Sequence, residues 1–267
     1  AAVDRCAERL SSELARPLRD VMWAAAGTAD ATLLYRTAYT QPALFSMEYA
    51  LVELWRSVGV EPALVIGHSF GELVAACVSG VLSLDHALRL VAARGRLMEA
   101  LPPGGAMFAV ATSEANVAPR LVPWGERAAL AAINGPSDVV ISGDEAVVTS
   151  IAESLASEGV RTQQLKVLLA AHSPRMAPMR EEFRRVASSL SYALPRIPLV
   201  TNLDGRLAGS EVADAEHWVR HVEAPVRFGD GLSTLAAERV DILLEVGPHP
   251  VLLELAARLP ALDHVPR

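Results

Sequence analysis

Ala63-Leu64-Val65-Ile66-Gly67-His68-Ser69-Phe70-Gly71-Glu72 is the stretch whose reading decides the fold. The four apolar residues at its start read as a short buried strand. Residues Glu72 to Val78 read as a helix closing near Gly80. Between them, Gly-x-Ser-x-Gly makes a turn whose crowded backbone is expected to need glycine two positions before and two after the serine. Such a turn lifts the Ser69 hydroxyl out of the sheet edge. It also sets the N-terminus of the next helix beneath it, so that the Phe70 N–H faces any oxyanion that develops there. Ser69 is therefore the candidate nucleophile, suited to carrying an acyl group as a serine ester.

Working outward, Gln41 to Ser57 shows helical spacing with a start at Pro42. Ser83 to Leu101 is a second helix, with Ser83 as N-cap and Pro102-Pro103-Gly104-Gly105 as its stop. A helical pattern over Asp4 to Leu14 opens the chain. Beyond residue 104 the pattern changes. Strands are predicted at Ala106–Ala111, Ala128–Ile133, Asp138–Ser142 and Val160–Val167. Helices are predicted at Ser113–Leu121 and Glu145–Glu158, with a turn at Asn134-Gly135-Pro136. This β-α-β-β-α-β order is that of a ferredoxin-like unit. It predicts a small subdomain (104–167) inserted into a larger α/β one (1–103 and 168–267). The larger part resumes with a helix at Pro178–Leu190, a strand at Pro198–Thr201, a helix at Gly229–Glu238 and a strand at Ile242–Val246.

Composition narrows the function class. The 267 residues are 51% hydrophobic and 21% charged, ample for a sizeable core, and the net charge is −7. Lysine is nearly absent and no Lys/Arg block exists, which argues against nucleic acid as a partner. No apolar run reaches the length of a membrane span. No signal peptide is visible. Cys6 and Cys77 suggest neither a disulfide framework nor a metal site, and fit free thiols in a reducing cytoplasm.

A nucleophilic serine needs a base. Of the histidines, His68 adjoins Ser69 but is expected to point away, and His86 and His264 read as surface residues. His172 ends an apolar run, Val167 to Ala171, and precedes a Ser173-Pro174 break, the sort of loop position where catalytic groups gather. It is the best candidate, with a packed histidine as the alternative.

Five motifs stand in order along the chain: Gly67-His68-Ser69-Phe70-Gly71-Glu72, Arg94-Gly95-Arg96-Leu97-Met98, Asn134-Gly135-Pro136, Ala171-His172-Ser173-Pro174 and Glu245-Val246-Gly247-Pro248-His249-Pro250. Together they resemble the acyltransferase domains of modular polyketide synthases. The wider family includes the malonyl-CoA:acyl-carrier-protein transacylases. The resemblance runs from about residue 5 to about 256. It implies an α/β fold, with an α/β-hydrolase-like large subdomain, a ferredoxin-like small one and an active site between them.

By position the resemblance implies Ser69 as the acylated serine, His172 as the base, the Phe70 N–H as an oxyanion donor and Arg94 as the grip on a substrate carboxylate, which a guanidinium fork suits. It places Gln41, His68, Phe70, Leu169 and Ala171 at the substrate pocket. The His221 backbone carbonyl is expected to orient the base, its side chain being incidental. Asn134 is expected to fix a turn. No cofactor or metal is implied. Acyl-CoA is the expected substrate, and an acyl carrier protein bearing phosphopantetheine is the expected partner, beside ketosynthase and linker domains. A cytoplasmic location goes with these, with neither nucleic acid nor membrane as a partner.

Two departures from the family pattern carry expectations. Members open with a strand and a Gly-Gln-Gly segment whose glutamine N–H is a second oxyanion donor. The chain as given begins past it, and loss of one such donor typically costs ~10²–10³ in rate, predicting weak activity for this stretch alone. The four residues ending at the base, Leu169-Ala170-Ala171-His172, match neither the His-Ala-Phe-His of malonyl-selective members nor the Tyr-Ala-Ser-His of methylmalonyl-selective ones. Ala171 leaves space at the substrate α-carbon, whereas Phe70 is bulky and the Ala93–Met98 run resembles malonyl-type members. A relaxed or unusual choice among malonyl-type units is expected. A serine esterase or thioesterase shares the elbow, and a non-catalytic docking domain shares the overall pattern. Only transfer of carboxylated acyl groups needs Arg94.

Overall fold

The computed structural model describes residues 2–167 and 169–267. Leu168, at the expected subdomain boundary and inside the apolar run before His172, lies outside them, as does Ala1. β1 (Val65–Ile66) pairs in parallel with β6 (Leu199–Val200), Val65 opposite Leu199 and Ile66 opposite Val200. The elbow helix Gly71–Ser79 leaves β1 directly and ends at Gly80, whose φ of 86° closes it in the left-handed region. Helices Thr37–Ser57 and Leu84–Glu99 pack side by side against it. Gly95 permits their close approach, because a Cβ there would meet the Thr37 carbonyl at 2.8 Å.

The second sheet is antiparallel, in the order β3-β4-β2-β5. Its strands are β2 (Gly105–Val110), β3 (Ala128–Gly135), β4 (Asp138–Asp144) and β5 (Thr162–Gln164). Helix Glu114–Leu121 follows β2 and helix Glu145–Ser157 follows β4. Order and direction are those of a ferredoxin-like unit. Along β2 buried and half-buried residues alternate, the period-2 signature of a sheet with one face on a core. That core lies under the two helices, with Val117, Val148, Ile151 and Leu155 packed on Val110, Val139 and Ile141.

A third apolar cluster ties the two sheets together. Ala131, Ala132 and Val140 of the antiparallel sheet pack with Val200, Val226, Phe228 and Leu232. The Ile133 N–H donates to the Val226 carbonyl (2.8 Å) and the Val226 N–H to the Ala131 carbonyl (2.9 Å), so segment 224–228 is stitched to β3. Arg175 adds a polar tie, donating to Asp144 (2.6 Å) and to the Pro102 and Pro103 carbonyls (3.0 and 2.8 Å). No helix among the described residues is long and apolar enough to cross a membrane.

Several elements differ from the sequence reading. The first helix is Ala2–Arg9 and stops short of Leu14. The helix expected to start at Pro42 starts at Thr37, with Pro42 inside it. The Glu99 carboxylate accepts the Ala38 N–H (3.1 Å), anchoring that earlier turn. β5 is three residues long, not Val160–Val167, because after the Leu165 N–H bonds the Met107 carbonyl (2.9 Å) the chain leaves the sheet and Val167 is exposed. Ile242–Val246 forms no strand. Ile242 is 67% exposed, and the Leu243 N–H goes to the Pro266 carbonyl (2.9 Å) rather than to a ladder. Pro174–Met179 is a 3₁₀ turn ahead of a shorter helix, Arg180–Ser188. Helix Ala215–Glu223 was not foreseen.

Candidate active site

Ser69 sits at the C-terminal end of β1 with φ at 49°, a left-handed conformation forced by the turn. The elbow's two glycines are not equivalent. A Cβ on Gly67 would run into the backbone of Gly71 and Glu72, whereas one on Gly71 meets nothing within 4 Å. Close approach therefore requires glycine only at the first position. Phe70 lies at the N-cap of the elbow helix, so its N–H belongs to the group of helix-terminal donors beside Ser69.

The Ser69 hydroxyl lies 2.5 Å from His172 Nε2. The other ring nitrogen, Nδ1, donates to the Ala224 carbonyl (2.9 Å), which leaves Nε2 free to accept the serine proton. The base-orienting carbonyl is thus that of Ala224, not His221 as expected. Ala224 follows helix Ala215–Glu223 and precedes Pro225, so its carbonyl is released from helical pairing. His221 lies one turn back, inside that helix. His172 also has a positive φ of 55°. Burial first, then the positive Arg94, then His221, hold its imidazole well below the usual histidine range, so it is neutral and proton-accepting at neutral pH.

Arg94 is 3% exposed and comes from helix Leu84–Glu99. Nη1 donates to Gln41 Oε1 (2.7 Å), and Nη2 makes a long contact of 3.4 Å to the Ser69 hydroxyl. Its Nε has no hydrogen-bond partner among the described residues. Burial pulls the guanidinium down to about 10. Gln41 is held in turn through its amide nitrogen, bonded to Thr37 Oγ1 (2.8 Å) and close to Met98 Sδ (3.4 Å). The result is a buried cation that no carboxylate among the described residues pairs, reaching toward the Ser69 hydroxyl. Such an arrangement is costly unless an anion completes it.

The remaining expected residues divide. Leu169 and Ala171, half-buried, pack against the main core on the approach to His172. His68 turns away from the hydroxyl: its Nε2 meets Asn134 Oδ1 (2.8 Å) and its ring lies 5.1 Å from that of Phe228. That places His68 at the junction of the two sheets rather than against Ser69. Asn134 is a residue of β3, and the two-residue turn is Pro136-Ser137. The expectation that Asn134 fixes that turn is corrected, since its side chain ties His68 across the junction. His221 is not incidental. It is buried, and its Nε2 lies 3.2 Å from the carboxylate of a fully buried Glu72.

Sequence reasoning missed Asn202, which bonds the Ser69 backbone. It also missed Glu72's partners and the part played by Glu245. The Glu245 carboxylate accepts the Val251, Leu252 and Leu253 N–H groups (2.9 Å each), capping helix Val251–Ala256. An acid shortly before Pro248 and Pro250, which interrupt the chain ahead of that helix, was the available signal.

Comparison with known proteins agrees with this geometry. A family model described as the acyl transferase domain matches residues 1–260. The chain is 50% identical over 256 residues to the polyketide synthase GfsA of Streptomyces halstedii, spanning 95% of this chain but only 3% of that protein. Among solved structures, the acyltransferase domain from the second module of the salinomycin polyketide synthase superposes with a TM-score of 0.89 at 46% identity. That match covers 96% of this chain and 59% of the other. The acyltransferase domain of SpnD, in complex with 2-(pent-4-yn-1-yl)malonyl, gives 0.88 at 38% identity, over 98% and 61% of the two chains.

Proposed function

Since the chain belongs to the acyl transferase domain family, we propose that it loads a malonyl-type unit from acyl-CoA onto the phosphopantetheine thiol of an acyl carrier protein, through an ester on Ser69. The division into a large part (1–103 and 168–267) and a small part (104–167) belongs to the same reading, with the reaction in the cleft between them. His172 Nε2 takes the Ser69 proton as the hydroxyl attacks the thioester carbonyl. The Ala224 carbonyl holds the ring in the needed tautomer and steadies the imidazolium that forms. The Phe70 N–H receives the oxyanion. Collapse expels the CoA thiolate, which takes up the proton from His172. In the second half the carrier thiol gives its proton to His172, attacks the ester, and Ser69 leaves with that proton.

The observation that carries the reading is Arg94, buried, without a carboxylate partner among the described residues and 3.4 Å from the Ser69 hydroxyl. A free carboxylate on the acyl group satisfies it. A plain monocarboxylic acyl group, or the neutral ester of a general esterase, leaves it unpaired. Ala171 beside His172 leaves room at the α-carbon, which supports a unit with an α-substituent, and the SpnD domain was solved with an alkynyl-malonyl group.

The test is intact-protein mass spectrometry after mixing with malonyl-, methylmalonyl-, larger alkylmalonyl- and acetyl-CoA. A lasting adduct mapped to Ser69, from the carboxylated donors and passed on to a carrier protein, is the expected result. Rapid release of free acid instead identifies a hydrolase. No adduct from any donor identifies a non-catalytic domain. The donor that fills Ser69 fastest names the unit.

A further inference from the structure

Asn202, 1% exposed, directly follows β6 and none of the steps above uses it. Its side chain spans the elbow. Oδ1 accepts the Ser69 N–H (2.6 Å) and Nδ2 donates to the Gly67 carbonyl (2.7 Å), so one amide holds backbone groups on both sides of His68. Its own backbone is held twice. The N–H donates to Glu72 Oε2 (2.7 Å), and the carbonyl accepts the Arg227 N–H (2.8 Å) from segment 224–228, which also carries Ala224. Glu72 is 0% exposed and faces His217 Nε2 at 3.3 Å and His221 Nε2 at 3.2 Å, the latter off the hydrogen-bond direction. Among the described residues, no such acid–histidine group has an arrangement that holds a metal ion. The His221 ring stands 6.1 Å from that of His172, edge to face.

We propose that Asn202, anchored by Glu72, is the positioning residue of the nucleophile. It holds Ser69 at its left-handed φ and sets the hydroxyl against His172. It also occupies the Ser69 N–H, which removes that group from the oxyanion donors and leaves the task to Phe70. Because Arg227 N–H binds the Asn202 carbonyl while the same segment presents the Ala224 carbonyl, nucleophile and base are located from one backbone junction. A cross-link serving only to join β6 to β1 needs neither the Ser69 N–H nor the Gly67 carbonyl, since the strands already pair directly through Val65 N–H and the Pro198 carbonyl (2.9 Å).

The inference rests on the acyl-serine reading, and one experiment separates the two. Single-turnover acylation of Ser69 by the preferred acyl-CoA is followed in wild type, Asn202→Ala and Asn202→Asp, alongside thermal melts. Asn202→Ala is expected to slow acylation about 30- to 300-fold, the scale of an ångström of misplacement, with donor affinity changed by no more than about threefold. Asn202→Asp keeps the acceptor for Ser69 N–H but, when ionised, has no donor for the Gly67 carbonyl. Its rate relative to wild type is expected to recover as pH falls from about 8 toward 5, because Glu72 beside it favours the protonated acid, whose O–H restores the bond. A folded Asn202→Ala that acylates at the wild-type rate overturns the proposal. If Asn202→Ala does not fold, an Asn202→Asp rate that keeps a constant ratio to wild type across that range overturns it. A wild type that never forms the Ser69 ester overturns the underlying reading as well.

Discussion

On the proposed reading, replacing Arg94 by alanine separates the carboxylate grip from everything else in the site. Burial holds the guanidinium at about 10, which against its usual value near 12.5 corresponds to about 3 kcal/mol of lost hydration. A bidentate substrate carboxylate recovers that loss through two charge-assisted hydrogen bonds. Removing one member of such a buried pair typically costs about 3–5 kcal/mol. For malonyl-CoA, kcat/KM is therefore expected to fall by roughly two to four orders of magnitude. Acetyl-CoA is the internal control. It has no free carboxylate, and the only contact it shares with the lost side chain is the 3.4 Å approach of Nη2 to the Ser69 hydroxyl, worth about 1 kcal/mol at most. Its rate should thus change by no more than about tenfold. The assay is CoA release measured with both donors in wild type and Arg94→Ala, with Ser69 occupancy read by mass spectrometry. If the malonyl-to-acetyl ratio is unchanged by the substitution, the argument from the buried guanidinium is wrong, even if both rates fall.

The other predictions concern the elbow, the base and one buried acid. Gly67→Ala forces a Cβ into the backbone of Gly71 and Glu72 and should abolish both the elbow and Ser69 acylation. Gly71→Ala enters open space in the first turn of a helix and should raise stability by about 0.5–1 kcal/mol with acylation retained; thermal melts and acylation rates on both variants check the contrast. Because burial, Arg94 and His221 hold the His172 imidazole down, the acid limb of the acylation profile should lie below about pH 6.5. Arg94→Ala removes a positive neighbour, so with acetyl-CoA that limb should move upward, and a limb that moves down contradicts the assignment. Burial, and secondarily Glu245, raise the Glu48 carboxyl to about 7. The fold favours the protonated acid, so native stability declines as pH rises from about 4.5 through 7. Glu48→Gln should therefore gain about 1–2 kcal/mol at pH 8, allowing for partial exposure, and nothing at pH 4.5, as read from urea midpoints.

What the sequence disclosed about this site follows the range of the interactions involved. The strand, turn and helix around Ser69 are local, and periodicity with glycine spacing reveals them. The order of the small sheet was legible for the same reason: each of its elements is a short, well-punctuated pattern. The helix start at Pro42 was misplaced because the true start is secured from a distance, by Glu99 reaching the Ala38 N–H. Ile242–Val246 is a short, mostly apolar run that reads as a strand, yet a strand needs a partner, and pattern alone carries no pairing. The base-orienting carbonyl was placed at His221 by position in the motif, and a backbone carbonyl leaves no mark of its own in a sequence. The working group is the Ala224 backbone, set by a helix ending before Pro225. Asn202 left no signal at all: it stands 133 residues from Ser69 in a segment without a motif, and its meaning arises only where β6 lies beside β1.

Backbone strain gives an independent route to the same two residues. Among the described residues three non-glycines have positive φ: Ser69 at 49°, His172 at 55° and Arg239 at 55°. Arg239 is explained by helix termination. It lies two residues past Phe228–Ala237, its N–H returns to the Ala236 carbonyl (3.2 Å) and the Val240 N–H to the Leu235 carbonyl (3.5 Å), a left-handed helix ending. No such ending accounts for Ser69 or His172, and each is bonded from elsewhere in the chain: Asn202 on the Ser69 N–H, Ala224 on the His172 ring. Strain of this kind costs about 1–2 kcal/mol per residue, and it arises from the Cβ. Ser69→Gly relieves it and Ser69→Ala does not, while both remove the hydroxyl and keep the N–H that Asn202 binds. The glycine variant should therefore be the more stable of the two by about 1–2 kcal/mol, the reverse of the usual order for these residues. Matched urea titrations of the two variants decide it. An alanine variant as stable as the glycine one, or more so, would show that the elbow holds Ser69 without strain and that its geometry is no sign of function.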